Sequence, residues 1–201
     1  DSKVSNLPID AVRREKIRKE LDPERNELFF ARCLLLVEGD TEKMALPEYA
    51  KKMGIDFDNK GVTIVEVGGK KSLLEFANIA VSFGIKTGVI YDKDSIDFFS
   101  DEKEQEEEYN ASLDYLSKNN TDVKVWKLEN KYEDKLRESI GEEKYQKLCQ
   151  KYPSHSKPIR QRLIAMDTES GNPDFLEEIV KWSIGEFQES ISDSVDDGIP
   201  F

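Results

Sequence analysis

Histidine and cysteine are scarce in this sequence, which has one His and two Cys among its 201 residues. Cys33 and Cys149 lack the short paired spacing of zinc or iron–sulfur ligands, which argues against a metal centre built from thiolates and imidazoles. We interpret both as reduced thiols, which are typical of a cytoplasmic protein. The single histidine, His155, stands in a Ser-rich loop, where an exposed side chain is a better interpretation than a general base.

Long apolar runs are also absent. No segment approaches the roughly 20 apolar residues that a membrane-spanning helix needs, and the first residues do not resemble a secretory signal. We therefore expect a cytoplasmic protein that does not contact a membrane. A hydrophobic content of 37% over 201 residues is sufficient for one ordinary domain with an appended helical part.

The chain is poor in positive charge, and its formal net charge of −12 at first argues against binding to nucleic acid. The acids are concentrated, however, because residues 101–108 contain six acids and one Lys, and residues 186–201 contain five acids and no base. We interpret the first segment as a solvated loop and the second as a loose tail. Outside them 29 basic residues stand against 31 acidic ones, a net charge of −2 that permits contact with a phosphate backbone.

Short apolar runs alternate with helix-like segments between residues 29 and 140. The predicted strands are Cys33–Val37, Val62–Val67, Thr87–Tyr91 and Val123–Leu128. The predicted helices between and after them are Thr41–Met53, Ser72–Phe83, Glu106–Lys118 and one that begins near Lys131. Continuous apolar strands and helices that end at glycine are typical of a parallel sheet covered on both faces. We therefore predict an α/β fold with a doubly wound parallel sheet of about four strands.

Two flanking regions complete the predicted organisation. Residues 1–28 contain a charged, helix-compatible stretch that leads into the first strand. Residues 141–190 carry three helix-like segments at Glu142–Tyr152, Pro158–Met166 and Asp174–Phe187. We interpret the latter region as a C-terminal helical extension rather than an independent domain, because it has too few large apolar side chains to form its own core. Residues 191–201 form an acidic tail.

Two short acidic motifs follow two of the predicted strands: EGDTE at residues 38–42 and DKD at residues 92–94. A carboxylate directly after a buried strand, such as Glu38, is costly to bury unless it is coordinated or paired. If the first and third strands are neighbours, both motifs lie at the carboxyl edge of the sheet. Each motif also has a structural explanation, because Glu42 can complement a helix macrodipole and Asp-x-Asp is common in turns.

Up to four carboxylates meeting at one edge would repel each other unless a divalent cation neutralised them. Oxygen ligands without Cys or His favour Mg²⁺ or Mn²⁺. The sequence therefore predicts metal-dependent chemistry on phosphodiesters. One alternative is a haloacid-dehalogenase-like phosphatase, although such a fold places its nucleophilic Asp after the first strand, where this chain has Glu38. Another is a catalytically silent module that binds a partner or regulates an ATPase.

The order of these motifs resembles a known domain. A strand, the EGDTE motif, about fifty residues of α/β pattern and the DKD motif are similar to the Toprim domain of topoisomerases, primases and overcoming-lysogenization-defect (OLD) nucleases. The stretch LLLVEGDTEKMALPEY at residues 34–49 resembles the OLD version, a group that includes the nuclease subunit of Gabija-type antiphage systems. The resemblance extends over about Phe29 to Trp182 and implies a Toprim (Rossmann-like) fold at residues 29–140.

The resemblance also implies roles for particular residues. Metal carboxylates would be Glu38, Glu42, Asp92, Asp94 and a later acid, for which Glu133 is a better match than Glu129. Lys157, before a predicted helix, would be the cation at the scissile phosphate, and with Glu38 and Asp92 would form the catalytic set. Two Mg²⁺ or Mn²⁺ ions are implied, with Ca²⁺ as an inhibitory substitute. Weaker candidates for contact with DNA backbone are Lys70, Lys71, Lys93 and Arg160.

The implied function is that of a DNA endonuclease that nicks or cleaves phosphodiesters. In OLD proteins the nuclease follows an ATPase domain, and the GGKK segment at residues 68–71 is not a Walker phosphate loop. We therefore expect residues 1–28 to be the junction to an ATPase domain of a longer chain. A homodimer or higher oligomer and a role in phage defence are further expectations from the resemblance.

Overall fold

The computed structural model describes residues 27–93, 100–129, 131–153 and 156–186. The strands are β1 (Cys33–Val37), β2 (Val62–Glu66), β3 (Lys86–Asp92) and β4 (Val123–Leu128). The helices are α1 (Asp40–Lys52), α2 (Phe57–Lys60), α3 (Lys70–Ser82), α4 (Ser100–Lys118), α5 (Tyr132–Ile140), α6 (Glu142–Lys151), α7 (Lys157–Met166) and α8 (Asp174–Ser183). Short 3₁₀ turns occur at Glu27–Phe30 and Thr168–Ser170. Within the described ranges no helix is both long and apolar enough to cross a membrane.

The four strands form one parallel sheet in the order β2-β1-β3-β4. Parallel strands require crossover connections, and the helices that follow β1, β2 and β3 occupy these positions. The predicted α/β fold, a four-stranded parallel sheet flanked by helices, is confirmed. The strand bounds differ from the prediction by one residue at most, and Asp92 is the last residue of β3 rather than the first residue after it.

The two faces of the sheet carry separate apolar clusters, because successive side chains of a strand point to opposite faces. Leu35 and Val37 of β1 pack with side chains of α1, α5, α6, α7 and α8. Leu34 and Leu36 pack on the other face, with α3 and α4. The C-terminal helices therefore cover the same face of the sheet as α1, and they share its core.

Residues 101–108 are helical, which corrects the predicted loop. Helix α4 begins at Ser100 instead of Glu106 and continues to Lys118. Glu and Gln are good helix formers, and acids in the first turns of a helix complement its macrodipole, so a run of acids here extends the helix. The last helix ends at Ser183 rather than Phe187. Most of residues 1–28 and the acidic tail at residues 191–201 lie outside the described part of the chain.

Gly88, in the middle of β3, allows two tryptophans to pack on the sheet. A Cβ atom at this position would lie 2.6 Å from Leu35 Cδ2, 2.9 Å from Trp126 and 3.2 Å from Trp182. The two indole rings contact each other edge to face with their centroids 5.2 Å apart. Both the indoles and the backbone are buried, so none of these groups can move away without disturbing the core.

We expect Gly88→Ala to destabilise the protein by about 1–3 kcal/mol, because the added methyl group overpacks this contact. Urea unfolding followed by tryptophan fluorescence measures the change. Gly39→Ala is the comparison without overpacking, since Gly39 has an extended backbone with φ −143° and the nearest atom to its added Cβ would be 3.7 Å away. Its expected cost is the smaller one of a poorer N-cap for α1, about 1 kcal/mol or less. Equal stability of the Gly88→Ala and wild-type proteins would contradict the packing argument.

Asp167, directly after α7, joins three helices through its hydrogen bonds. Its carboxylate accepts from Lys151 Nζ at 2.6 Å, from Tyr152 Oη at 2.9 Å and from the Glu169 amide at 2.9 Å. Its backbone carbonyl accepts from Lys52 Nζ of α1 at 3.2 Å. The hydrogen bond from Lys151 is the main cause that lowers the pKa of Asp167 from 3.8 to about 2. The ionised carboxylate therefore stabilises the fold.

The stability contributed by Asp167 should depend on pH. Because its pKa is lower in the folded protein, the contribution is present above pH 3.8 and is lost as the pH falls towards about 2. Asp167→Asn should lower the free energy of unfolding at neutral pH by about 2 kcal/mol and weaken this acid dependence. Urea unfolding at neutral and acidic pH measures the loss of stability and its acid dependence. The control is Asp134→Asn, because the Asp134 side chain is half-exposed. An unchanged acid dependence in Asp167→Asn would contradict the assignment.

Candidate functional site

The two acidic motifs begin at the same edge of the sheet. Val37 of β1 is paired with Ile90 of β3, so Glu38 follows this pair by one residue and Asp92 by two. With strands spaced about 4.8 Å apart and a rise of about 3.3 Å per residue, the Cα atoms of Glu38 and Asp92 are separated by roughly 6 Å. The carboxyl ends of the two central strands therefore each carry an acid.

Two further acids approach this edge from the starts of helices. Glu42 lies in the first turn of α1 and is 5% exposed. Glu133 is the second residue of α5, and its side chain is 12% exposed. One carboxylate oxygen of each of Glu38, Asp92 and Glu133 is shielded from solvent. Four acids from four different elements thus lie at the edge, and we call Glu38, Glu42, Asp92 and Glu133 the acidic cluster.

The electrostatics of Glu42 reflect the proximity of these groups. The pKa of Glu42 is raised from 4.5 to about 7, mainly by burial. The neighbouring carboxylates of Asp92 and Glu133 contribute to this rise, whereas a backbone hydrogen bond and Lys157 oppose it. Removing a carboxylate from water without a strong partner disfavours its ionised form. A cation bound beside Glu42 would reverse this effect and favour the carboxylate.

Lys157 is the basic side chain that faces the acidic cluster from α7. It is the first residue of that helix, and Pro158 follows it, as is common at helix starts. Lys157 Nζ lies 3.1 Å from Glu133 Oε2, and the lysine side chain is 56% exposed. A positive charge is therefore held at the outer side of the cluster, where a large substrate can reach it.

The other predicted ligands are placed differently. Glu129 is 73% exposed and lies 2.8 Å from Lys93 Nζ, and the hydrogen bond from Lys93 lowers the pKa of Glu129. Glu133, and not Glu129, is the acid that influences Glu42 and contacts Lys157. Asp94 and His155 lie outside the described residues.

The predicted DNA-contacting cations also divide into two groups. Lys70 is 6% exposed, with Nζ 5.5 Å from the centroid of the Tyr91 ring, and this burial is unfavourable for a contact with DNA backbone. Lys71 is exposed at the start of α3, and Lys93 is exposed in its ion pair with Glu129. Arg160 is half-buried, and its Nε donates to the Tyr152 carbonyl at 3.3 Å. The expectation of contact with DNA is therefore better supported for Lys71 and Lys93 than for Lys70.

Two residues near the site were missed by the sequence analysis. Tyr132 is fully buried at the start of α5, and its pKa is raised by burial first and then by Tyr49 and Glu42. Glu48, on α1, is a buried acid that contacts Arg162 of α7. The aromatic side chain directly before Glu133 was a weak indication in the sequence that Tyr132 is buried at the site. Nothing in the local pattern distinguishes Glu48 from an exposed helical acid.

The acidic cluster fits a hard divalent cation by the chemistry of its donors, which are all carboxylate oxygens. Glu133 Oε1 is buried and accepts no hydrogen bond from any described residue. At the same time, no three His, Cys, Asp or Glu side chains among the described residues are close enough together to hold a metal ion. The structure thus contains a cluster of suitable ligands and not a formed coordination sphere.

Comparison with known protein families gives a match over the part of the chain that contains the two motifs. Residues 29–94 match the family described as "Overcoming lysogenization defect protein-like, TOPRIM domain". The chain is 40% identical over 72 residues to the "Uncharacterized protein YbjD" of Escherichia coli (strain K12), covering 35% of the chain and 12% of that protein. It is 32% identical over 109 residues to the "OLD nuclease" of Thermus scotoductus (strain ATCC 700910 / SA-01), covering 51% of the chain and 21% of that protein. The chain therefore spans only a small part of the length of these relatives.

Solved structures with similarity to the chain include C-terminal regions of OLD proteins. The region from Xanthomonas campestris pv. campestris has a TM-score of 0.44 and 19% identity, covering 80% of this chain and 81% of that one. The region from Burkholderia pseudomallei has a TM-score of 0.44 and 16% identity, covering 78% of this chain and 98% of that one.

Proposed function

We propose that the protein is a metal-dependent DNA endonuclease, from the premise that residues 29–94 match the OLD-like Toprim family. The observation that supports the proposal most strongly is that Glu42, Asp92 and Glu133 from three elements lie near one another beside Lys157, with Glu38 at the neighbouring strand end. A relative that matches about half of this chain carries the name "OLD nuclease". We extend that activity to this protein as hydrolysis of phosphodiester bonds in DNA.

The acidic cluster would hold the cations. Glu38 and Asp92 offer carboxylates from the ends of β1 and β3, and Glu42 and Glu133 offer carboxylates from the first turns of α1 and α5. Asp94 would complete the set from the segment after β3. When bound, Mg²⁺ or Mn²⁺ supplies Lewis-acid stabilisation of a phosphoryl group and lowers the pKa of water. The number and charge of these acids are consistent with two ions.

Lys157 would act on the substrate and not on the cations. Its ammonium is partly exposed and is held by Glu133, so it can contact a phosphate oxygen at the outer side of the cluster. A fixed positive charge there stabilises the negative charge that develops on the phosphate during hydrolysis. Such chemistry needs no nucleophile from the protein, because water attacks the phosphorus.

The relatives also suggest a proposal for the wider context of the protein. The chain spans 12% and 21% of the two curated relatives, which leaves room for large additional regions in proteins of this type. We propose an N-terminal ATPase domain that controls the nuclease, oligomerisation through that longer protein, a cytoplasmic location and a role in phage defence. The exposed Lys71 and Lys93 are candidates for contact with DNA backbone.

Metal removal tests the proposed function. We expect the full-length protein to nick or cleave plasmid DNA with Mg²⁺ or Mn²⁺, to lose this activity in excess chelator and to regain it when Mn²⁺ is restored. Ca²⁺ should bind without supporting cleavage, because it tolerates coordination geometries less suited to catalysis. Agarose gels of supercoiled plasmid report each step. Cleavage that continues at the same rate in excess chelator would contradict the proposal.

A further inference from the structure

Helices α1 and α7 pack along each other, and each carries one residue of the candidate site in its first turn. Ala45 and Tyr49 of α1 lie in one apolar cluster with Ile164 and Ala165 of α7. Glu42 lies in the first turn of α1, and Lys157 is the first residue of α7. The place of Lys157 beside the acidic cluster therefore depends on how α7 is aligned along α1.

An ion pair between a buried carboxylate and a half-exposed arginine crosses this helix contact. Glu48 of α1 is 7% exposed. Its Oε1 accepts from Arg162 Nε at 2.9 Å and lies 2.8 Å from Arg162 Nη2. Lys51 Nζ, 3.4 Å away, contacts the other oxygen of the same carboxylate. A buried carboxylate requires such partners, so the pair restricts the helices to the alignment in which Glu48 faces Arg162.

The ion pair lies close to the site on both helices. Glu48 is six residues after Glu42, roughly 9 Å along α1, and Arg162 is five residues after Lys157, roughly 7.5 Å along α7. Apolar contacts alone are not directional and tolerate small shifts of one helix along another. Hydrogen bonds from a guanidinium to a carboxylate are directional and fix the relative position of their two helices.

We propose that the Glu48–Arg162 ion pair is a positioning element that sets the alignment of α7 on α1 and thereby holds Lys157 beside Glu133. This inference rests on the proposed function for its catalytic consequence, but the position of Lys157 can be measured independently of any activity. Neither Glu48 nor Arg162 touches the substrate in this account. Both act through Lys157, whose misplacement by about 1 Å can reduce a rate by up to about a hundredfold.

The test uses Glu48→Gln, Arg162→Met and Arg162→Lys in the full-length protein, with Glu143→Gln as control. Glu143 forms a comparable carboxylate–lysine pair with Lys147, at 2.7 Å, but both side chains are exposed on α6. The first measurement is the rate at which an acetylating reagent modifies Lys157, followed by mass spectrometry, with the exposed Lys118 at the end of α4 as the internal reference. The second is kcat and KM for DNA cleavage with Mn²⁺, and the third is the thermal unfolding temperature.

We expect Glu48→Gln and Arg162→Met to raise the acetylation rate of Lys157 several-fold and to lower kcat about tenfold to a hundredfold, with KM for DNA within about twofold. Arg162→Lys should recover part of both effects, and Glu143→Gln should change neither. Unchanged reactivity of Lys157 in folded Glu48→Gln and Arg162→Met proteins would overturn the inference, even if the unfolding temperature falls. Absence of cleavage by the wild type would refute the proposed function, and the reactivity of Lys157 would still decide the positioning role.

Discussion

Replacing Asp92 with alanine should reduce DNA cleavage by about a thousandfold or more, because the carboxylate supplies part of the charge that holds the cations. Asp92 is the last residue of β3, one of its oxygens is shielded from solvent, and its charge reaches Glu42. Removing the Asp92 carboxylate should lower the pKa of Glu42, because Asp92 is one of the groups that raise it. The acidic cluster also loses one candidate metal ligand. The protein should remain folded, since the side chain lies at the sheet edge and not in the core.

The measurement combines plasmid cleavage with calorimetric titration of Mn²⁺. We expect weak or absent Mn²⁺ binding in Asp92→Ala and normal behaviour in Asp122→Asn, an exposed aspartate that precedes β4 at the opposite edge of the sheet. If the Asp92→Ala protein cleaved DNA at the wild-type rate, Asp92 would be excluded as a metal ligand. A covalent phosphate trapped on Asp92 of the wild-type protein would instead favour the phosphatase alternative.

Replacing Lys157 with methionine should lower kcat by about a hundredfold to a thousandfold, which is the usual loss when one fixed group that stabilises transition-state charge is removed. Lys157 contacts Glu133 through its ammonium but offers no oxygen ligand. Removing its positive charge leaves the acidic cluster more negative. The affinity for Mn²⁺ should therefore stay equal or increase, which separates Lys157→Met from the loss of a metal ligand.

Single-turnover cleavage at saturating Mn²⁺ and calorimetric titration measure these two quantities. Lys147→Met is the matched control, because Lys147 is an exposed lysine on α6 that pairs with Glu143. We expect its kcat and Mn²⁺ affinity to equal those of the wild type. A Lys157→Met protein that cleaves at the wild-type rate, or that loses Mn²⁺ binding together with cleavage, would contradict the assigned role.

The sheet was predictable from sequence because its strands are continuous apolar runs. Cys33–Val37 is buried throughout, and a run with this composition between turn residues has few alternatives to a central parallel strand. The strand order makes the first and third strands neighbours, which is the condition under which both acidic motifs lie at one edge. The resemblance to an OLD-like Toprim domain is confirmed over residues 29–94. The roles of the site residues, both inside and outside that range, are proposals.

Charge was a poor guide to local structure. The acids at residues 101–108 predicted a loop, yet they form part of α4, because runs of Glu and Gln occur both in helices and in solvated loops. Only helix propensity and position relative to the macrodipole distinguish the two. For the same reason the sequence does not reveal that Glu48 is buried, because a buried and an exposed acid in a helix have the same local pattern.

Contacts between distant elements could not be predicted from local patterns. The contacts between Glu133 and Lys157 and between Glu48 and Arg162 depend on how the C-terminal helices pack on α1. Helical periodicity predicts which face of a helix is apolar, but not which other helix covers it. The carboxylates at the strand ends were predictable, because the edge of a parallel sheet is defined by the strands themselves.

The central claim is that the acidic cluster binds divalent cations. A crystal of the protein soaked in Mn²⁺, with anomalous difference density calculated at the manganese absorption edge, tests this claim most directly. The account predicts one or two Mn²⁺ ions coordinated by oxygens of Glu38, Asp92 and at least one of Glu42 and Glu133. Saturating Mn²⁺ that leaves these carboxylates without a bound ion, or that binds only elsewhere on the protein, would contradict it.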